Sequence, residues 1–180
     1  MKKILFIFFL FLISASNANE RDIKLDSLFV KLKNINSQSV LEIEQQIWKL
    51  WSTHPSNQKL TKILAEGSEL VLNQKYIKAV EVFTSVIKLD PTWAEAWNKR
   101  ATVLYLLKDY EGSQKDIDEV LKLEERHFGA LAGQGLVNIK LKNYEKAIQS
   151  YRQALDIYPT MQSPEIMIKQ IEALIKEELI

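Results

Sequence analysis

Apolar residues recur along most of this chain at i, i+3, i+4 and i+7, the spacing that lines one face of an α-helix. Mid-chain examples are Trp97, Ala101, Leu104 and Tyr105; a later stretch carries Ala147, Ile148, Tyr151, Ala154 and Leu155. Polar breaks at Asn73-Gln74-Lys75, Lys108-Asp109 and Lys142-Asn143 separate the stretches. The pattern predicts helices of about 13 residues joined by short turns. It also repeats. Shifted by 34 residues, Leu60 to Pro159 lies over itself. Tyr76, Tyr110 and Tyr144 fall in register, as do Gly67, Ala101 and Gly135, and Phe83, Ile117 and Tyr151. A fixed period of this length means one supersecondary unit stacked on copies of itself. The repeats begin at Leu60, Ala94 and Phe128.

The flanks carry the helical pattern without the period. Asn19 to Lys24 is polar and is expected to fray. Leu25, Leu28, Phe29, Leu32 and Ile35 then keep helical spacing until Asn34, Asn36 and Ser37 interrupt it. Ser37 or Ser39 can cap a second helix, which carries Val40, Leu41, Ile43, Ile47, Trp48, Leu50 and Trp51. That helix should end near Thr53, because Pro55 disfavours the helical state at His54. Residues 19–56 thus predict a helical hairpin, either a degenerate repeat or a cap, followed by a polar linker from His54 to Lys59. At the other end, Ser163-Pro164-Glu165 is a helix start. Ile166, Ile168, Ile171, Leu174, Ile175 and Leu179 form its apolar stripe. A stack of repeats ends in an apolar face that needs a cover, and residues 163–180 are expected to be that cover.

With each repeat numbered from one to thirty-four, the residue types at fixed positions become specific. Position four holds Ile63, Trp97 and Leu131; position eight holds Gly67, Ala101 and Gly135; position seventeen holds tyrosine three times. Position twenty holds Ala79, Ser113 and Ala147, and Pro91 and Pro159 stand at thirty-two. This pattern resembles the tetratricopeptide repeat over about 100 residues. Glu125 replaces the proline in the second repeat, and Val86 and Val120 are larger than usual at twenty-seven. The resemblance implies an all-α, right-handed α-α superhelix of stacked hairpins. Its three full repeats would span 60–93, 94–127 and 128–161, with the first helices lining a concave groove.

Carried onto this chain, the family's groove positions fall on Leu64, Ser68 and Leu72 in the first repeat. In the second they fall on Glu95, Asn98, Lys99, Thr102 and Tyr105, and in the third on Gly129, Gly133, Leu136 and Lys140. Family members that grip a chaperone's C-terminal carboxylate use Lys and Asn, then Asn, then Lys and Arg at five of these positions. Here those positions hold Leu64, Ser68, Lys99, Gly129 and Gly133, so that clamp is not expected. Gly129, Gly133 and Gly135 share one helix, where each glycine costs about 1 kcal/mol relative to alanine. Packing explains Gly135. The other two would let another backbone come close to the groove floor, beside Leu106, Leu136 and Ile139. The occupant would be an apolar or helical partner segment, or one of the chain's own terminal helices.

Composition narrows the chemistry. The formal charge of +1 gives no general pull towards nucleic acid. The N-terminus has a basic head, Lys2 and Lys3, then the apolar run Ile4 to Ile13, then Ser16 and Ala18 at the positions of a small-residue cleavage site. This is the pattern of a secretory signal peptide over residues 1–18, cut after Ala18. It predicts a secreted, periplasmic protein with no stable membrane anchor; an uncleaved inner-membrane anchor is the alternative. With 0 cysteines, disulfides, thiol catalysis and cysteine-held metals are excluded. Neither a phosphate loop, a G-x-S-x-G elbow nor an H-E-x-x-H pair is found. Asp116 and Glu119 share a helix face expected to be solvated. Asn98, Lys99, Arg100, Glu124, Glu125, Arg126 and His127 form the densest polar set, read either as a contact for a ligand or as ordinary ion pairs. A lone histidine beside Phe128 is more often structural than catalytic, and Trp93 is expected to be partly exposed. The reading is a non-catalytic module without cofactor or metal, binding a protein or peptide partner in its groove. Its alternative is a structural assembly subunit that uses its convex face or its ends.

Overall fold

The computed structural model describes residues 20–33 and 40–178, and every regular element among them is helical. Helix α1 covers 20–32. It is followed by α2 (Val40–Ser52), α3 (Gln58–Leu72), α4 (Tyr76–Leu89) and α5 (Ala94–Leu106). Then come α6 (Tyr110–Leu123), α7 (Phe128–Lys140), α8 (Tyr144–Ile157) and α9 (Gln162–Glu178). The signal-peptide reading of 1–18, the capping role of Ser37 or Ser39, and the placing of Ile35 and Leu179 lie outside the described residues. The chain forms two compact units, one ending at Lys62 and one running from Ile63 to Ile180.

In the first unit, Leu25, Leu28, Phe29 and Leu32 of α1 are buried, as are Ile43, Ile47 and Trp51 of α2. The rings of Phe29 and Trp51 lie 5.9 Å apart, and Trp48 meets Trp51 edge-on at 5.2 Å. Residues 20–24 are wound into α1 rather than frayed. Arg21 donates to the Leu50 carbonyl at 3.2 Å, which ties down the first turn. His54 is a local brace: its Nδ1 accepts from the backbone N–H groups of Ser56 and Asn57 at 3.2 and 2.9 Å. Asn57 Oδ1 then accepts from Lys59 N at 3.1 Å, so α3 starts inside the stretch expected to be linker.

In the second unit each helix from α4 to α9 packs on the next in sequence. The turns within repeats share one construction. Lys75, Asp109 and Asn143 donate back to the carbonyls of Leu70, Leu104 and Asn138 at 2.8–2.9 Å, and Gln74, Lys108 and Lys142 donate to Val71, Tyr105 and Ile139. This paired 6→1 and 5→2 closure puts the residue between in the left-handed region. Gln74, Lys108 and Lys142 sit there with φ of 57°, 66° and 57°.

Close approach of the paired helices depends on position eight. A Cβ on Gly135 would lie 2.5 Å from Tyr151 Cζ, and one on Gly67 would collide with the Phe83 ring. In the second repeat Ala101 and Ile117 fill the same pair of positions, both in the core. The junction between repeats is more polar than expected. Arg100 donates to both oxygens of Asp116, at 2.7 and 2.8 Å, and to Thr84 Oγ1 at 3.0 Å. Asp116 is therefore a buried partner at 4 % exposure rather than a group on a solvated face. Trp93 is buried too, not partly exposed. Asp90 accepts from the Thr92 N–H and hydroxyl at 2.9 and 2.6 Å, closing the turn that delivers Trp93 to the interior.

Helix α9 covers the end of the third repeat, starting at Gln162 and so including Ser163. Its packed stripe differs in phase from the expected one. Ile171 is fully buried, with Met167, Ile168 and Ile175 beside it, against Ala147, Tyr151 and neighbouring residues. Ile166 and Leu174 face away, at 53 % and 43 % exposure.

The three glycines of α7 are not equivalent. Gly135→Ala is expected to destabilise by about 1–3 kcal/mol, because the buried Tyr151 ring must shift. Gly133→Ala meets only Ile117 Cδ1, at 3.7 Å. It should stabilise by about 0.5–1 kcal/mol through helix propensity. Urea unfolding of the two variants checks both signs.

Candidate partner-binding groove

Two inner helices, α5 and α7, lie side by side and present a narrow cleft of about 90 Å³. One wall is Asn98, Thr102 and Tyr105 from α5; the other is Gly129, Gly133 and Leu136 from α7. Ala101, Ser113, Ile117 and Ala130 form its floor. The floor is fixed by packing and by one hydrogen bond, Ser113 Oγ to the Ala101 carbonyl at 2.8 Å. Tyr105 leans on Tyr110 with ring centres 5.5 Å apart. Leu106 and Leu136 remain exposed. The cleft is mostly apolar, with an amide and a hydroxyl along the α5 wall.

Six of the twelve expected groove residues thus come together. The other six do not line this cleft. Leu64 is buried at 2 % exposure, with its stem turned into the core. Ser68 is half-buried and donates to the Leu64 carbonyl at 3.1 Å. Leu72 is strongly exposed, and Lys140 is exposed at the C-terminal end of α7. Glu95 and Lys99 belong to a structural network instead. Glu95, 1 % exposed, accepts from Asn98 Nδ2 at 2.9 Å and lies 3.1 Å from His127 Nε2; Lys99 Nζ is 3.3 Å away. His127 Nδ1 accepts from Ala130 N at 3.1 Å and caps α7. That bond leaves Nε2 to carry the proton towards Glu95. Asn98 reaches the cleft but is itself held by Glu95, so the polar groove positions at the start of α5 are largely committed to joining α5 with the start of α7.

Two more pairs use members of the polar set, while Glu125 is exposed. Arg100 bridges to Asp116 and stands 5.1 Å from the Trp97 ring centre, and Arg126 pairs with Glu124 at 2.9 Å. Among the described residues no group of three or more His, Cys, Asp and Glu is placed to hold a metal ion. None of the described helices is long and apolar enough to cross a membrane. The floor residues Ser113 and Ile117 were not expected at the cleft, because they belong to the second helix of their hairpin. The signal for them was the small residue at position twenty, which lets that helix reach the groove.

Burial alone would push the Glu95 carboxyl up. The His127 hydrogen bond, then Lys99 and the Asn98 amide, outweigh it and hold the group below its ordinary 4.5. A carboxyl depressed in the folded state contributes stability above its unfolded value and loses it as pH falls through the folded value. The melting temperature should therefore drop as pH is lowered below about 4.5, and Glu95→Gln should flatten that part of the profile. Thermal melts from pH 3 to 7 on both proteins measure it.

Models of the tetratricopeptide repeat match residues 94–127 and 129–161. A TPR repeat-containing protein of Rhizobium etli is 31% identical over 138 residues, covering 76% of this chain and 67% of that protein. Hsp70-Hsp90 organizing protein 1 of Glycine max is 31% identical over 97 residues, 54% of this chain but 17% of its own length. Among solved structures, the first TPR of Spaghetti (RPAP3), bound to an HSP90 peptide, is similar with a TM-score of 0.64 at 20% identity. That match covers 66% of this chain and 94% of the other, and shows the likeness of fold. The second and third repeats, their helical pairs and these relatives agree: this chain belongs to the tetratricopeptide repeat family.

Proposed function

We propose that this protein is an exported, non-catalytic interaction module that holds a partner helix or peptide along the α5–α7 cleft. The observation that carries the reading is the bare backbone at Gly129 and Gly133. Gly133 has room for a side chain, with only Ile117 nearby, so internal packing does not account for its absence. A partner that approaches the backbone does. Leu106 and Leu136 beside it supply exposed apolar area for the same contact. The Spaghetti TPR domain, of the same fold, was solved with a peptide bound, which supports the mode of use. The residues of a carboxylate clamp are missing from positions Leu64, Ser68, Lys99, Gly129 and Gly133, so the partner is met along its length rather than by its terminus. Export rests on Lys2, Lys3, the run Ile4 to Ile13 and the small residues Ser16 and Ala18. A second reading, an assembly subunit joined through its end, draws on the exposure of Ile166 and Leu174 on α9.

A photo-crosslinking residue at Thr102 or Leu136 should capture a specific partner in a cell of the source type, and one at the exposed Lys115 should not. Capture only from Leu174 would favour the assembly reading and sink the groove. Fractionation with N-terminal sequencing should find Asn19 as the first residue of the mature protein. A retained Met1 in the soluble cytoplasmic fraction would remove export from the proposal.

A further inference from the structure

Of the many positions at which the second and third repeats differ, three bear on the space between hairpins. Seven, eleven and twenty-three hold Arg100, Leu104 and Asp116 in the second repeat, and Gln134, Asn138 and Ser150 in the third. In the second repeat the Arg100–Asp116 bridge and its bond to Thr84 occupy the space between neighbouring hairpins. In the third, Ser150 Oγ donates to Gln134 Oε1 at 2.9 Å, and no charge stands at either position. The shorter neutral pair leaves a polar recess of about 400 Å³ between α6, α7 and α8, separate from the partner cleft. That volume lies within the range of small-molecule sites.

The chemistry of the recess is unusual for a solenoid surface. Six side-chain amides line it: Gln114, Gln134, Asn138, Asn143, Gln149 and Gln153. Two of its polar groups are deeply set, Asn138 at 5 % and Ser150 at 3 % exposure. Asn138 Nδ2 donates to the Gln134 carbonyl at 2.9 Å, which holds its amide against the floor. Gln149 and Gln153 of α8 are exposed and complete the lining. The lining has one acid and one base, Asp118 and Lys146, and Asp118 is engaged by Gln114 at 2.8 Å.

Each primary amide offers two donors and one acceptor with two lone pairs. A hydroxyl both donates and accepts, so a ring of amides matches a polyhydroxylated ligand at many orientations. The near-zero net charge of the lining disfavours phosphates and carboxylates, which call for Arg, Lys or a helix N-terminus. Leu141 is the single apolar lining residue, so a hydrophobic ligand would gain little. We propose that this recess is a binding site for a neutral sugar of one or two rings, independent of the partner groove.

The test transplants the second repeat's solution into the third. Gln134→Arg with Ser150→Asp rebuilds a bidentate ion pair that the fold already accommodates at Arg100 and Asp116. N-acetylglucosamine, a neutral sugar with one amide of its own, is titrated into isotope-labelled protein while the Asn and Gln side-chain amide signals are followed. The expected result is saturable movement of the Gln134, Gln149 and Gln153 signals, with binding at least about tenfold weaker in the folded double variant. Signals that stay still, or that move equally in the double variant, would overturn the proposal. So would movement with an uncharged capped peptide but none with the sugar, which would make the recess a peptide site. Circular dichroism on the double variant separates a blocked recess from a lost fold, and Gln149→Ala with Gln153→Ala, both exposed, provides a second variant that should weaken binding without touching the core.

Discussion

Everything in the second compact unit hangs on how closely the two helices of a hairpin can approach. Position eight sets that distance. Where it is glycine, the facing ring of Phe83 or Tyr151 lies directly over the backbone, so close that a Cβ has no place. Where it is Ala101, the facing residue shrinks from a ring to Ile117. The sum of the two volumes is conserved by exchange across the interface, as a close-packed interior requires. The contact also fixes the phase of the second helix about its axis. That phase decides which residues of α6 and α8 look towards the groove and which towards the next hairpin. Ser113 and Ile117 reach the cleft floor because of it.

Joining one hairpin to the next is a different problem, and the chain solves it with charge. Arg100 is shared between Asp116 of its own repeat and Thr84 of the preceding one. Glu95, at the start of α5, reaches His127, at the start of α7. Buried charges are costly unless paired and hydrogen-bonded, and both sets meet that condition. Such pairs fix register more surely than they add stability. His127 links the two roles, since one ring nitrogen caps α7 and the other faces the carboxylate. The groove therefore stands on a polar frame whose members are not available to a partner. What the cleft leaves open is correspondingly small: Thr102, Tyr105, Leu136 and two glycines.

The period of the sequence was enough to read the helices and their pairing, because tyrosines, small residues and prolines recur in phase. The groove was half legible. Register says which face a residue occupies, but not whether a side chain from another helix covers it. Glu95 and Asp116 have the sequence signature of solvated carboxylates; only the arrival of His127 and Arg100 from elsewhere makes them interior. The stripe of α9 was misjudged for a related reason. Its isoleucines outnumber the positions that one face can bury, so pattern alone could not choose Met167 over Ile166 or Leu174. Winding of residues 20–24 turned on a single side chain, Arg21, finding the Leu50 carbonyl. No local propensity announces such a contact.

The repeats are thus copies in backbone but not in chemistry. A solenoid permits this, because each hairpin answers only to its neighbours, and a change at one junction is not forced on the others. The second repeat closes the space against α4 with an ion pair; the third leaves the equivalent space against α6 open and lines it with amides. Replacing Arg and Asp by Gln and Ser at these positions keeps the hydrogen bond across the hairpin while removing both charges and some volume. Had the position needed only to hold the hairpin together, an apolar pair of similar volume would leave no buried polar group to satisfy. The polar choice in the third repeat carries a desolvation cost for Asn138 and Ser150 that packing does not demand. A selective advantage at the recess itself is the physical reading of that cost.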